Sequence, residues 1–86
     1  MATVVVIHEV DDVAHWLAST RREEIFGPLG FTIRTFVDPT NVNRVGLVLD
    51  VPDVETFHSA MESPEAADGM KSDGVHPETL IVLFES

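Results

Sequence analysis

Between residues 31 and 51 the chain runs FTIRTFVDPTNVNRVGLVLDV, two β-rich segments around a short polar turn. In Phe31–Asp38 the side chains alternate, with Phe31, Ile33, Thr35 and Val37 on one face and Thr32, Arg34 and Phe36 on the other. Pro39-Thr40-Asn41-Val42-Asn43 has turn composition, and Arg44–Val51 is the return strand, so the stretch reads as a β-hairpin. Pairing Asp38 with Arg44 places Thr32 opposite Asp50 and Arg34 opposite Val48.

Upstream, Thr3–His8 (TVVVIH) is β-branched and continuously apolar, which predicts a strand buried on both faces. Asp11 and Asp12 suit a helix start, and a roughly helical stripe through Val13, Leu17, Thr20 and Ile25 predicts a helix over about 12–26. Arg21–Glu24 reads as its solvated end, and Gly27-Pro28-Leu29-Gly30 as its stop. Downstream, Pro52 suits a first helical turn, with Val54, Phe57, His58 and Met61 at helical spacing over about 53–62. Ser63-Pro64-Glu65 caps a short further piece through about Met70, Gly74 breaks it, and Leu80–Phe84 (LIVLF) is a last apolar strand.

The order β-α-β-β-α-β predicts a ferredoxin-like α+β plait. Its four-stranded antiparallel sheet has order 4-1-3-2, with both helices on one face. At 86 residues a single domain is expected over 1–86. Such a chain buries only about 60–65% of its unfolded surface. Its 44% hydrophobic content is therefore generous, and the helices cover one sheet face only. Burial of the other face against a second copy, in a homodimer, is the expected remedy.

There is no Cys, so disulfides, thiolate metal sites and a Cys nucleophile are excluded together. Fifteen acidic against five basic residues, a formal charge of −10, argue against nucleic acid or an anionic membrane as partner. No signal peptide or span-length apolar run is visible, so a cytoplasmic protein is the expectation. No nucleophile elbow, P-loop or Gly-rich dinucleotide turn occurs, and no cofactor is expected. The four His lack i,i+4 or H-x-H spacing, so no metal site is expected.

A βαββαβ chain of this length with both sheet faces apolar resembles the dimeric α+β barrel superfamily. The tail Phe57…Ser63-Pro64-Glu65…Met70…Gly74-Val75 is similar to the end of several of its families. That superfamily includes antibiotic-biosynthesis monooxygenases, polyketide cyclases, lactone isomerases, haem-degrading enzymes and stress-responsive barrels. The resemblance implies a sheet-paired dimer holding a small apolar or aromatic ligand between sheet and helices. It implies cofactor-independent cyclase, isomerase or monooxygenase chemistry; the alternative is a non-catalytic dimeric ligand-binding or stress-response module. The absence of Tyr and of a matching Asn/Trp/His trio separates this chain from particular mechanisms within the superfamily.

For catalysis the candidates are His8, Arg34 and Asp50. Reading strand 3 as parallel to strand 1 brings the ends of both to one sheet edge. His8 would be the acid/base, Asp50 its orienter and Arg34 the stabiliser of oxyanion charge. Each also has a plainer role: a strand end, a helix cap and a surface ion pair. For ligand binding the candidates are Trp16, Phe57, His58, Met61 and His76. Trp16 offers a stacking wall against Phe57 and Met61, or else ordinary helix-to-sheet packing.

Overall fold

A computed structural model describes residues 2–86. Four strands, β1 (Ala2–Val10), β2 (Thr32–Val37), β3 (Arg44–Val51) and β4 (Val75–Phe84), form one sheet in the order β2-β3-β1-β4. Every neighbouring pair is antiparallel, giving the ferredoxin-like arrangement. The β2–β3 register pairs Thr32 with Asp50 and Arg34 with Val48, as the alternation of the hairpin requires. Asp38 holds the turn: its carboxylate accepts from the Thr40 N–H and hydroxyl and from Arg44 Nε.

The side chains of β1 sort cleanly by parity. Val4, Val6, His8 and Val10 are buried beneath the helices, while Thr3, Val5, Ile7 and Glu9 face the other way and are only half covered. On β3 the buried set is Val45, Leu47, Leu49 and Val51. The first strand is thus buried on one face, because helices occupy only one side of the sheet.

The expected first helix is two. α1 (Val13–Ala18) starts on Asp12, whose carboxylate accepts the His15 N–H, and ends where Ser19 turns extended at ψ 137°. α2 (Arg21–Phe26) follows and runs into a 3-10 turn at Gly27–Leu29. After β3 come α3 (Val54–Met61) and α4 (Pro64–Ser72), capped by the Asp53 carboxylate and the Ser63 hydroxyl respectively. Gly74 closes α4 at φ 73°, a backbone that a side chain strains, and its carbonyl receives the Asp11 N–H.

β4 begins at Val75, five residues earlier than the sequence suggests. The extra length is hidden by a bulge. Ile7 pairs with Ile81 and Glu9 with His76, so one residue of β1 faces four of β4. Thr79 fills the gap by accepting the Glu9 N–H and donating to the His76 carbonyl. Among the described residues no helix is long and apolar enough to cross a membrane.

Candidate functional site

Between the helical layer and the sheet lies an apolar cavity of about 50 Å³. Val6 and Leu47 form its floor, Phe57 and Met61 of α3 one wall, and Trp16 of α1 another. A cavity of about 150 Å³ holds a benzene ring. Binding a ring here therefore requires the walls to give, and Met61 and Met70, both half-buried and unbranched, are suited to it.

Four polar or amphipathic side chains meet at one end of this space: His8, Trp16, Arg22 and Asp73. His8 is only 3% exposed and meets the Trp16 ring edge-on at a centroid distance of 5.7 Å. Its Nδ1 lies 3.4 Å from the Glu9 carbonyl, a long contact in which only the imidazole can donate. That contact favours the Nδ1–H tautomer, in which the lone pair is on Nε2, an atom with no hydrogen bond among the described residues. Burial lowers the His8 pKa below its usual 6.5, and the nearby Arg22 charge lowers it further. His8 is therefore a neutral imidazole at pH 7.

Arg22 reaches the same place because the chain breaks at Ser19–Thr20. An Arg six residues after Trp16 would lie far round a continuous helix; the kink folds it back. Its guanidinium carbon stacks 4.2 Å from the Trp16 ring centroid. Nη2 donates to the Trp16 carbonyl at 2.8 Å and Nη1 to Asp73 Oδ2 at 3.2 Å. Asp73, the residue that ends α4, has a side chain only 4% exposed.

The sequence-predicted catalytic residues are not brought together. β1 and β3 are antiparallel, so His8 pairs with Val45 while Asp50 pairs with Thr3, five residues away along the strand. That separation is about 17 Å at 3.4 Å per residue. The parallel reading of these strands is corrected by this register. The two residues also lie on opposite faces. Asp50 accepts hydrogen bonds from Thr3 Oγ1 at 2.8 Å and Thr32 Oγ1 at 3.3 Å on the side away from the helices. Arg34, exposed, shares that open side.

Of the expected ligand contacts, Trp16, Phe57 and Met61 line the cavity. His58 does not: it is exposed and leans on Phe84, with ring centroids 5.6 Å apart. His76 lies outside too, at the start of β4, hydrogen-bonded through Nε2 to the Asp11 carboxylate. Arg22 and Asp73 are the residues that sequence reasoning missed. A signal for the first existed, since Thr20-Arg21-Arg22-Glu23 has the S/T-x-x-E spacing of a new helix start. Nothing in Ser72-Asp73-Gly74 distinguishes a buried carboxylate from a surface turn.

No family model matches the sequence, and no curated protein matches it. Solved structures do. An antibiotic biosynthesis monooxygenase superposes with a TM-score of 0.67 at 11% identity, over 100% of this chain and 97% of its own. A candidate antibiotic biosynthesis monooxygenase from Nitrosomonas europaea gives 0.69 at 12% identity, over 100% and 97%. A third, from Deinococcus radiodurans, gives 0.57 at 12% identity, over 100% and 91%. The chain shares the fold of these proteins across its whole length. At such identities the likeness concerns the fold, not the activity.

Proposed function

We propose that this protein is a small-molecule-binding enzyme that takes a ring-bearing, largely apolar ligand between helices and sheet and moves a proton from it. The observation that carries this reading is a neutral imidazole, His8, in an apolar cavity with an uncommitted Nε2. Structures of this fold that carry antibiotic biosynthesis monooxygenase names support the coarser reading of a small-molecule enzyme. The chemistry uses groups of the chain itself.

In the proposed step, His8 Nε2 accepts a proton from an activated C–H or O–H of the ligand, and the electron pair stays behind as an enolate or phenolate. The Arg22 charge at the same end of the cavity stabilises that anion. Arg22 thus takes the role the sequence suggested for Arg34. The imidazolium formed gives its proton to solvent or back to the ligand, so the cycle closes without net consumption.

A suitable probe is 2-indanone, whose methylenes lie between an aromatic ring and a carbonyl. In D₂O at pD 7.4 the protein is expected to speed deuterium incorporation at these carbons, followed by proton NMR. Exchange no faster than in buffer alone would overturn the reading.

The functional unit in this proposal is a homodimer. On the open side of the sheet Val5, Ile7, Phe36, Val48, Ile81 and Leu83 form one apolar surface without cover. Contiguous exposed apolar patches of this kind commonly mark interaction sites. A second copy, related by a two-fold axis, buries it against the same residues. Sedimentation equilibrium at micromolar concentration is expected to give twice the 9.5 kDa of the chain, and a mass of one chain would refute the pairing.

A further inference from the structure

The Asp73 carboxylate is only half used. Oδ2 accepts from Arg22, but Oδ1 is buried and has no hydrogen-bond partner. A buried carboxylate oxygen left without a donor is costly, and native structures rarely tolerate one. The two Arg22 N–H groups that form bonds go to Oδ2 and to the Trp16 carbonyl. Phe57, Met61 and Leu80, which line the same cavity as Asp73, present aromatic or aliphatic surface.

We propose that Asp73 Oδ1 is a recognition point for the ligand, and that the cavity selects apolar ring compounds bearing a hydroxyl. The hydroxyl donates to Oδ1 and completes the carboxylate's bonding. A protonated amine also donates, but it would have to shed its water in an apolar cavity beside the Arg22 guanidinium, which repels it. A neutral O–H avoids both costs. This assignment rests on the cavity being the ligand site. It adds the part of the ligand that the His8 chemistry leaves open.

The fit has a positional logic. Asp73 ends α4, where its N–H bonds to the Gly69 carbonyl, so the carboxylate is anchored through its own backbone. Arg22 then fixes the carboxylate through Oδ2, with Trp16 beneath the guanidinium. The acceptor is therefore set in place before any ligand arrives, which keeps the ordering cost of binding low.

The test uses two probes of nearly equal shape, 4-ethylphenol and 4-ethyltoluene, which differ in a hydroxyl against a methyl group. Binding is read from the indole N–H cross-peak of Trp16, the sole Trp of the chain. The wild-type protein is expected to bind the phenol on the order of 10–100-fold more tightly, although the toluene is the more hydrophobic. Asp73→Asn is expected to collapse that preference, because its amide presents an N–H₂ where a carboxylate oxygen stood. Asp73→Asn can be unstable through loss of the Arg22 pair, so the wild-type comparison stands as the primary measurement. Equal binding of both probes would overturn the assignment while leaving the cavity as the ligand site. Binding of neither would overturn both. A His8→Ala protein is expected to retain the preference for the phenol, which separates recognition by Asp73 from proton transfer by His8.

Discussion

His8→Ala is expected to lower the exchange rate on 2-indanone by about 10²–10⁴-fold, the range over which a positioned base accelerates proton transfer. The ligand's contacts with Trp16 and Phe57 remain, so the indole shift of Trp16 is expected still to report binding. Loss of exchange with binding intact is the signature of a base; an exchange rate within a few-fold of wild type would remove His8 from the mechanism. His8→Asn, closer in shape, is expected to behave the same way. The same residue gives stability a pH dependence of defined sign. The unfolded chain protonates His8 below about 6.5, whereas burial holds the folded value lower. Between the two the unfolded state binds more protons, so stability falls as pH drops below about 6.5 and is fully present above it. His76 acts in the opposite sense, through its bond to Asp11. Its contribution is complete below about 6.5 and is lost as pH rises through its raised folded value. The two windows do not overlap. Between pH 7.0 and 5.3 the denaturant midpoint of the wild type is expected to fall relative to that of His8→Ala, in which the opposite His76 dependence remains; equal shifts in the two proteins would remove His8 from this role.

Trp16→Ala is expected to be the most destabilising single change in the cavity wall, costing about 3–5 kcal/mol. The ring is 1% exposed, borders an existing void, meets His8 edge-on and lies under the Arg22 guanidinium. Its removal enlarges that void and strips the apolar support from a buried ion pair. A chain of 86 residues has about 4–13 kcal/mol of stability in all, so a large share is lost. In thermal unfolding the Tm is expected to fall by at least about 12 °C. Trp16→Phe keeps an aromatic face for Arg22 and is expected to fall much less. A Tm for Trp16→Ala within a few degrees of wild type would show that the ring is not part of the packed core.

Much of the fold was legible because alternation and turn chemistry are local. The hairpin register followed from Asp38, Arg44 and the residues between them. The helix starts at Asp12 and Ser63 were marked by capping side chains. Strand direction across the sheet is not local, and misreading β1 and β3 as parallel put His8 and Asp50 at one edge when about 17 Å and a whole sheet separate them. The site was legible as far as its apolar walls, since Trp16, Phe57 and Met61 are large side chains that a small chain must bury. Its charged half was not. Arg22 sits among Arg21, Glu23 and Glu24, and looks like a solvated run until the break at Ser19–Thr20 turns it inward. Asp73 becomes special only through the Arg22 that finds it.

Within the sheet, β1 is a central strand, and one of its two neighbours, β4, comes after every other element of the fold. Val4 pairs with Phe84, and the Glu85 N–H bonds to the Thr3 carbonyl. During synthesis β1 thus waits for β2, β3 and the helices between them and β4 before its second ladder can form. Until then Val4–Ile7 is an apolar strand with one unpaired edge, the kind of surface that recruits other strands. The joining of residues so distant in sequence also slows folding relative to a helical bundle of the same size. A ribosome-bound chain lacking residues 81–84 would hold β2 and β3 as a hairpin but leave β1 half-paired. The interval before those four residues emerge is when this protein is most exposed to aggregation and to chaperones.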